Sequence, residues 1–350
     1  MKKLGIGIIG TGLGALVLRL NNESERTVEV RGMADTDPLR KFQRYDVGKN
    51  LQNLADEFHV SFVTEDYQEL LKRKDINIIG IFSPCPLHFK HIREALTAGK
   101  HIVCTKPMVV SLEEAKEVAK LVDRTGLKFL VGQSMRWNDI FITAKEMHEK
   151  GEIGRIIFAE SYYVHDMRGV LDRSPWRYKM PQDFMYGGCC HPIDLLRWFL
   201  GDIEEVFAYG ICSHFDKRYP PDKEDTFLLN LKFKSGVIGR VMGAFGLVHP
   251  PHRHMVGLGL YGTRASLYND EIVYDKEGKH PFNKDIEKIN IKGEGHAEEI
   301  PRMFKHLEEC IRNDQKPLVD VRDGAKVIST CSAAWESIKT GKPVKVFNEF

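Results

Sequence analysis

Apolar and polar positions along this chain follow two different rhythms. Up to about Gln133, short apolar runs recur between longer segments with helical spacing. The runs are Leu4–Ile9, Val28–Ala34, Ser61–Val63, Asn77–Phe82, His101–Cys104 and Lys128–Val131. Short runs with little polar alternation fit strands buried on both faces of a parallel sheet. Ala15–Leu20, Leu51–Phe58, Tyr67–Lys72, His91–Ala98 and Ser111–Thr125 read as helices, the last opened by the capping box Ser111-Leu-Glu-Glu114. This alternation predicts a doubly wound α/β domain, whose ligands bind at the carboxyl ends of the strands.

Past Arg136 the pattern changes. Asp139–Lys150 has helical spacing and Arg155–His165 is a long strand. A polar, proline-rich loop holding Trp176 and Arg177 follows. The stretch from Gly187 through His191, Pro192 and Asp194 opens a helix that Gly201 ends. Phe227–Phe233, Val237–Phe245, Met255–Tyr261 and Ala265–Tyr268 then read as strands joined by Gly, Asn or Asp turns. Glu298–Asn313 and Val321–Thr340 close the chain as helices. The expectation is an α/β domain over 1–133 and, over 134–350, an α+β domain with a large, mostly antiparallel open sheet. One face of such a sheet suits a substrate and the other a subunit partner.

Between the first strand and first helix, Gly10-Thr11-Gly12-Leu13-Gly14-Ala15 fits G-x-G-x-x-G/A. Gly10 permits the tight turn, Gly12 lets a pyrophosphate reach the backbone, and Ala15 allows close strand–helix packing. The helix N-terminus offers N–H groups and a positive dipole end to phosphates. Asp35, at the tip of the second strand, would accept hydrogen bonds from a ribose 2′-OH and repel a 2′-phosphate. This favours NAD over NADP, although Arg40, Lys41 and Arg44 could tolerate a phosphate; a helix cap is the competing reading of Asp35.

Ser83-Pro84, His88, Thr105-Lys106-Pro107 and Gln133–Arg136 fall at other strand ends, and Ser83, Pro84, His88, Lys106 and Pro107 are expected to contact the cofactor. Lys106, locked by Pro107, could orient a nicotinamide and stabilise a developing alkoxide; a surface lysine is the alternative. Pro192 suits the first position of a helix, which puts His191 near the N-cap. There the dipole favours a neutral imidazole able to take a proton from an alcohol. Asp194, three residues on, lies on the same face. Trp176 and Arg177 could hold a substrate by stacking and by guanidinium hydrogen bonds. Arg136 and His165 complete the expected substrate-contacting set.

Composition excludes several classes. Charged residues make up 29% and the net charge is only +2, so no strong field points to nucleic acid or an anionic membrane. No segment approaches the ~18 apolar residues of a membrane span. Lys2 and Lys3 ahead of Leu4–Leu18 have the outline of a secretory signal, but five glycines from Gly5 to Gly14 make a poor signal helix. The seven scattered cysteines, an odd count, read as free thiols in a reducing cytoplasm. His249-Pro-Pro-His252-Arg-His254 has a metal-like composition, but it is stiffened by two prolines and lacks a nearby Cys or acid; no metal is expected. Cys189 and Cys190 read as small packing residues rather than nucleophiles.

Together these motifs resemble the glucose–fructose oxidoreductase / inositol dehydrogenase (Gfo/Idh/MocA) family, nearly end to end. Gly7-Ile-Ile-Gly10-Thr-Gly12 resembles its opening, and Ala34-Asp35-Thr-Asp37 its second strand tip. Ile81-Phe-Ser-Pro84-Cys-Pro-Leu-His88 is similar to its "TPxxxH" stretch, and Ala98-Gly-Lys-His-Ile-Val-Cys-Thr-Lys106-Pro107 to its "AGKHVLCEKP". Ser332 through Val344 is similar to its closing "AAxxSxxTGxPV". The resemblance implies a Rossmann domain, then an open-sheet domain that often mediates homodimers or homotetramers. It also implies NAD as cofactor, sugars or cyclic polyols as substrates, and Lys106 and His191 at the reacting carbon.

Two departures stand out. The family's glutamate before the lysine is Thr105 here. The aspartate found in many members four residues before the histidine is Gly187. Asp183, Asp166 or Tyr162 are the residues the sequence offers in its place. A hydride-transferring dehydrogenase is the leading expectation. The alternatives are a redox-neutral enzyme that retains NAD and works through a transient keto-sugar, and a non-enzymatic dinucleotide sensor.

Overall fold

The computed structural model describes residues 2–42, 46, 48–174, 176–180, 183–251, 254–275, 285–289 and 296–350, apart from the side chain of His296. The chain divides into two compact units. One is Met1–Ser134 with Glu294–Ala325 and Phe350, the other Met135–Gly293 with Lys326–Glu349.

Among its described residues the first unit holds six strands, β1 (Leu4–Ile9), β2 (Val28–Ala34), β3 (Val63–Thr64), β4 (Ile78–Ile81), β5 (His101–Thr105) and β6 (Phe129–Gly132). They form one sheet in the order β3-β2-β1-β4-β5-β6, with every pairing parallel. The order reverses between β1 and β4, the switch point where open α/β sheets bind ligands. Ile6, Ile8, Ile78, Ile79, Ile81 and Ile102 are fully sealed, as strands covered on both faces require. The helix after β1 is a ten-residue 3₁₀ segment, Leu13–Asn22. Asn21 anchors its far end, bonding Val30 N and O and the Phe58 carbonyl at 2.8–3.1 Å. Ser111 caps the helix Leu112–Thr125 by accepting from Glu114 N, the first half of the expected capping box; the Glu114 carboxylate accepts instead from Val110 N at 3.2 Å, one residue further back.

Residues 294–325 group with this unit, whereas the sequence division places them in the second domain. The physical reason is a fit at Gly80. A Cβ there would come within 2.8 Å of Phe304 Cζ, and the Phe304 ring lies stacked on Phe82 with centroids 6.3 Å apart. Only glycine leaves room for the helix His296–Arg312 to press on the sheet.

The second unit is built on β7 (Ile156–Val164), β8 (Ile203–Ile211), β9 (Thr226–Phe233), β10 (Ile238–Ala244), β11 (Val256–Gly262), β12 (Ala265–Tyr268), β13 (Glu271–Tyr274), β14 (Glu287–Lys288) and β15 (Val344–Lys345). Their order is β14-β13-β12-β11-β7-β10-β9-β8-β15. Among the described pairs only β7–β10 is parallel. β9 shows the logic of a one-sided sheet: Phe227, Leu229, Leu231 and Phe233 are buried while Leu228, Asn230 and Lys232 face out. The helix Cys190–Leu200 packs on β7, β10 and β11.

Candidate functional site

In the first unit, the turn after β1 has the shape its glycines predict. Gly10 has φ +84°, and a Cβ there would sit 2.7 Å from the Phe82 carbonyl carbon. Gly12 is the opposite case: its Cβ direction meets no atom within 4 Å, an open approach of the kind a pyrophosphate needs. At Gly14 a Cβ would press on Ile8 at 2.7 Å, so Gly14 as well as buried Ala15 lets the helix lie on β1. Asp35 is joined to this turn. Its Oδ2 accepts from Thr11 N at 3.0 Å, from the Thr11 hydroxyl, and from Arg40 Nη2 at 3.3 Å. The carboxylate therefore stands at the tip of β2 beside the glycine turn, where a ribose hydroxyl would compete for it. Arg44 lies outside the described residues.

At the ends of β4 and β5, His88 is 1% exposed. One ring nitrogen lies 2.8 Å from the Ser83 carbonyl and the other 2.8 Å from that of Pro107. Burial pushes its pKa down, against the pull of those carbonyls. Sequence reading counts His88 among cofactor-contacting residues; the structure sets it beneath the two loops, tying Ser83 to the residue that follows Lys106. Lys106 itself is half-buried at the end of β5. His91 is a residue that sequence reading passes over. Its Nδ1 lies 2.8 Å from Ser83 Oγ, and burial depresses its pKa to about 4. Only its spacing from His88, one helical turn, signals it.

In the second unit, His191 is 3% exposed. Its position corrects the N-cap expectation. The backbone is already helical from Phe184, through a wide π-turn Met185–Cys189 that runs into the helix Cys190–Leu200. His191 thus lies seven residues inside a continuous helical segment. A wide turn ahead of Pro192 accommodates a residue that lacks an N–H for the helix ladder. Gly188 is required there: a Cβ would fall 2.1 Å from the Phe245 ring.

Around His191, Tyr163 of β7 meets three rings edge-on: His191 at 5.8 Å, His165 at 6.0 Å and Phe245 at 5.1 Å between centroids. Three residues along the helix, Asp194 receives Arg136 as a fork, Nε to Oδ2 at 2.8 Å and Nη2 to Oδ1 at 2.7 Å. Arg136, expected to contact substrate, therefore has its guanidinium committed to a buried carboxylate 58 residues away. Arg177 stacks on its own neighbour, 4.2 Å above the Trp176 ring, so one indole face is covered from within.

The residues offered in place of the absent aspartate fare differently. Asp183 caps the helical segment, accepting from Met185 N, Tyr186 N and Trp335 Nε1 at 2.8–3.4 Å. Asp166 is forked by Arg168 at 2.9 and 2.6 Å. Tyr162 points to the other face of β7, where its hydroxyl accepts from Asn269 Nδ2 at 3.3 Å. Burial raises the Cys189 thiol pKa well above its usual value, which disfavours a nucleophilic thiolate. His252 of the histidine-rich loop lies outside the described residues; among the described residues no cluster of three or more His, Cys, Asp or Glu side chains could hold a metal.

A parallel sheet with a glycine turn at its switch point, an acid at the tip of β2 and an open-sheet unit carrying a buried histidine define the class: a two-unit, dinucleotide-binding oxidoreductase. Residues 4–133 match the family described as oxidoreductases with an NAD-binding Rossmann fold, and residues 145–346 match the C-terminal α/β domain of the same family. The chain belongs to the Gfo/Idh/MocA oxidoreductase family.

It is 25% identical to the uncharacterized oxidoreductase YrbE of Bacillus subtilis, over 99% of this chain and 97% of that protein. It is 26% identical to scyllo-inositol 2-dehydrogenase (NAD(+)) of Bacillus subtilis, over 84% and 85%. The fold is shared with scyllo-inositol dehydrogenase from Lactobacillus casei, solved with NAD(H) and scyllo-inositol: TM-score 0.77, 21% identity, 98% of this chain and 99% of that one. No helix among the described residues is long and apolar enough to cross a membrane.

Proposed function

We propose that this protein is an NAD-dependent dehydrogenase or reductase acting on a ring hydroxyl or ketone of a sugar, cyclic polyol or sugar derivative. The observation that carries the reading is the joined pair of Thr11 and Asp35 beside the open Gly12 turn, with relatives that act on inositols. Gly10, Thr11, Gly12, Leu13 and Gly14 would cradle the pyrophosphate, Asp35 the adenosine ribose, and Ser83, Pro84 and Pro107 the nicotinamide end. The bound nicotinamide supplies a hydride acceptor. Lys106 stabilises the alkoxide as the C–H hydride departs, and His191 takes the hydroxyl proton, leaving a ketone. His165, Trp176 and Arg177 are proposed to hold the substrate, and Arg136, through Asp194, to hold the helix that carries His191.

A turnover screen tests this. Inositols, free sugars, sugar acids and glycosides are offered with NAD and, separately, NADP, following reduced nicotinamide by absorbance, with Lys106→Met as the control. Turnover with NAD that disappears in Lys106→Met, while NAD affinity holds within about tenfold, supports the reading. Undiminished turnover in Lys106→Met removes Lys106 from the mechanism. The glycine at position 187 favours one second reading, a redox-neutral enzyme. NAD released on denaturation, with no net NADH formed from any substrate, would select it.

A homo-oligomer through the outer face of the second sheet is proposed with it. Tyr209 and Ile211 on β8 and Leu228 on β9 are 58%, 61% and 40% exposed and neighbours in register, apolar side chains that a second copy would cover. Light scattering on Ile211→Glu should report a smaller species than the parent. A cytoplasmic location is proposed from the seven free thiols.

A further inference from the structure

We propose that Tyr163 is the polar group that works beside His191, hydrogen-bonding a ring hydroxyl of the bound substrate; this rests on the sugar or polyol reading above. The position four residues before His191 is Gly187 and brings no side chain. Each residue the sequence offers instead is committed elsewhere. Asp183 is a helix cap, with two backbone N–H groups and an indole N–H on its carboxylate. Asp166 holds Arg168. Tyr162 lies on the far face of β7, its ring so close over Gly257 that a Cβ there would be 2.2 Å away.

The face of a strand alternates with each residue. Tyr163 therefore points the other way from Tyr162 and meets the imidazole of His191 at 5.8 Å and 65°. His165, two residues on, shares that face, and its ring meets Tyr163 at 6.0 Å and 74°. Phe245 fixes the phenol ring from a third side, at 5.1 Å and 90°. The Phe245 ring is itself stacked on Phe184 at 5.0 Å and seated against Gly188. Tyr163 is thus a rigid, half-buried phenol set between two imidazoles. A neutral phenol both donates and accepts, so it matches a ring hydroxyl, which does the same, without adding a charge next to His191. The ligand class this selects is a polyhydroxylated ring with a free hydroxyl near the reacting carbon.

The test compares the full-length parent with Tyr163→Phe and, as the opposite-face control, Tyr162→Phe. Thermal unfolding, NADH affinity by fluorescence, polyol and sugar affinity of the NADH complex by calorimetry, and kcat/KM are measured on each. Tyr163→Phe should keep its unfolding temperature and bind NADH within about twofold of the parent, yet lose about tenfold in substrate affinity and kcat/KM, the effect of leaving a substrate hydroxyl without its partner. Tyr162→Phe, which loses the bond from Asn269, should unfold at a lower temperature yet match the parent in NADH affinity, substrate affinity and kcat/KM.

Substrate affinity in Tyr163→Phe within about twofold of the parent overturns the proposal and leaves Tyr163 a packing residue. A parent that binds NADH and a polyol but never turns it over counts against the dehydrogenase reading alone, and Tyr163 is then judged by the affinities. A parent that binds none of the polyols or sugars overturns both.

Discussion

The ion pair between Arg136 and Asp194 sets how firmly the helix carrying His191 is held, and its strength can be worked out from the geometry. The two side chains are 5% and 1% exposed. Two charge-assisted hydrogen bonds of 2.8 and 2.7 Å join them, and the guanidinium lies 5.6 Å from the centre of the Trp198 ring. Arg136→Met would leave the carboxylate of Asp194 in a place water barely reaches. Breaking a buried pair from one side costs about 3–5 kcal/mol, whereas an exposed pair is worth about 1 kcal/mol or less.

A chain of two units need not unfold in one step. All four tryptophans, Trp137, Trp176, Trp198 and Trp335, lie in the second unit, so their fluorescence in urea follows that unit alone. Arg136→Met and Asp194→Leu should each lower its stability by about 3–5 kcal/mol. The double variant replaces both charges with apolar groups of similar size and should recover most of the loss. A single-variant loss below about 1 kcal/mol, or a double variant as unstable as the two losses added, refutes the view that a desolvated charge pair holds this helix.

Four further outcomes are expected. Gly12→Ala adds a methyl that meets no atom within 4 Å; it should leave the melting temperature unchanged and weaken NADH binding at least about tenfold in a fluorescence titration. Gly10→Ala instead forces a side chain to φ +84° against Phe82, and calorimetry should show the first unit destabilised by about 1 kcal/mol or more. Asp35→Ser removes the acid from the tip of β2 and leaves Arg40 without that partner; the NADP-to-NAD ratio of binding constants should rise at least about tenfold.

The fourth concerns His91, whose pKa burial holds at about 4 in the folded chain, against about 6.5 when unfolded. Its stabilising effect is full above about pH 6.5 and is lost as the pH falls toward 4, because only the unfolded chain takes up the proton easily. About 1–3 kcal/mol should disappear over that range in urea unfolding followed by circular dichroism. The slope should shrink in His91→Gln, and an unchanged slope would remove His91 as its cause.

The sequence was legible where chemistry and chain position coincide. Strand, glycine turn and helix lie within twenty residues, each limited by local backbone freedom, and Asp35 follows at a spacing that β2 alone sets. The six-stranded sheet follows from its short apolar runs, and the one-sided sheet of the second unit from alternation like that of β9. His88 was legible as a residue at a strand end, but its spacing does not say that both its ring nitrogens would be turned inward to carbonyls. His191 was misplaced on its helix because proline is commonest at a helix start, while here a wide turn and two glycines carry the helix back to Phe184.

By itself, then, the chain's order of residues determined the two kinds of sheet, the dinucleotide turn and the acid beside it, because each depends on neighbours in sequence or on a repeating period. The tertiary structure decided which acid answers Arg136 from 58 positions away, why Gly80 must stay bare for Phe304, and which of two adjacent tyrosines faces His191. Those outcomes depend on strand register and on the fit of one element against another. A one-residue change of register would exchange Tyr162 for Tyr163, and no local pattern of polar and apolar positions encodes that choice.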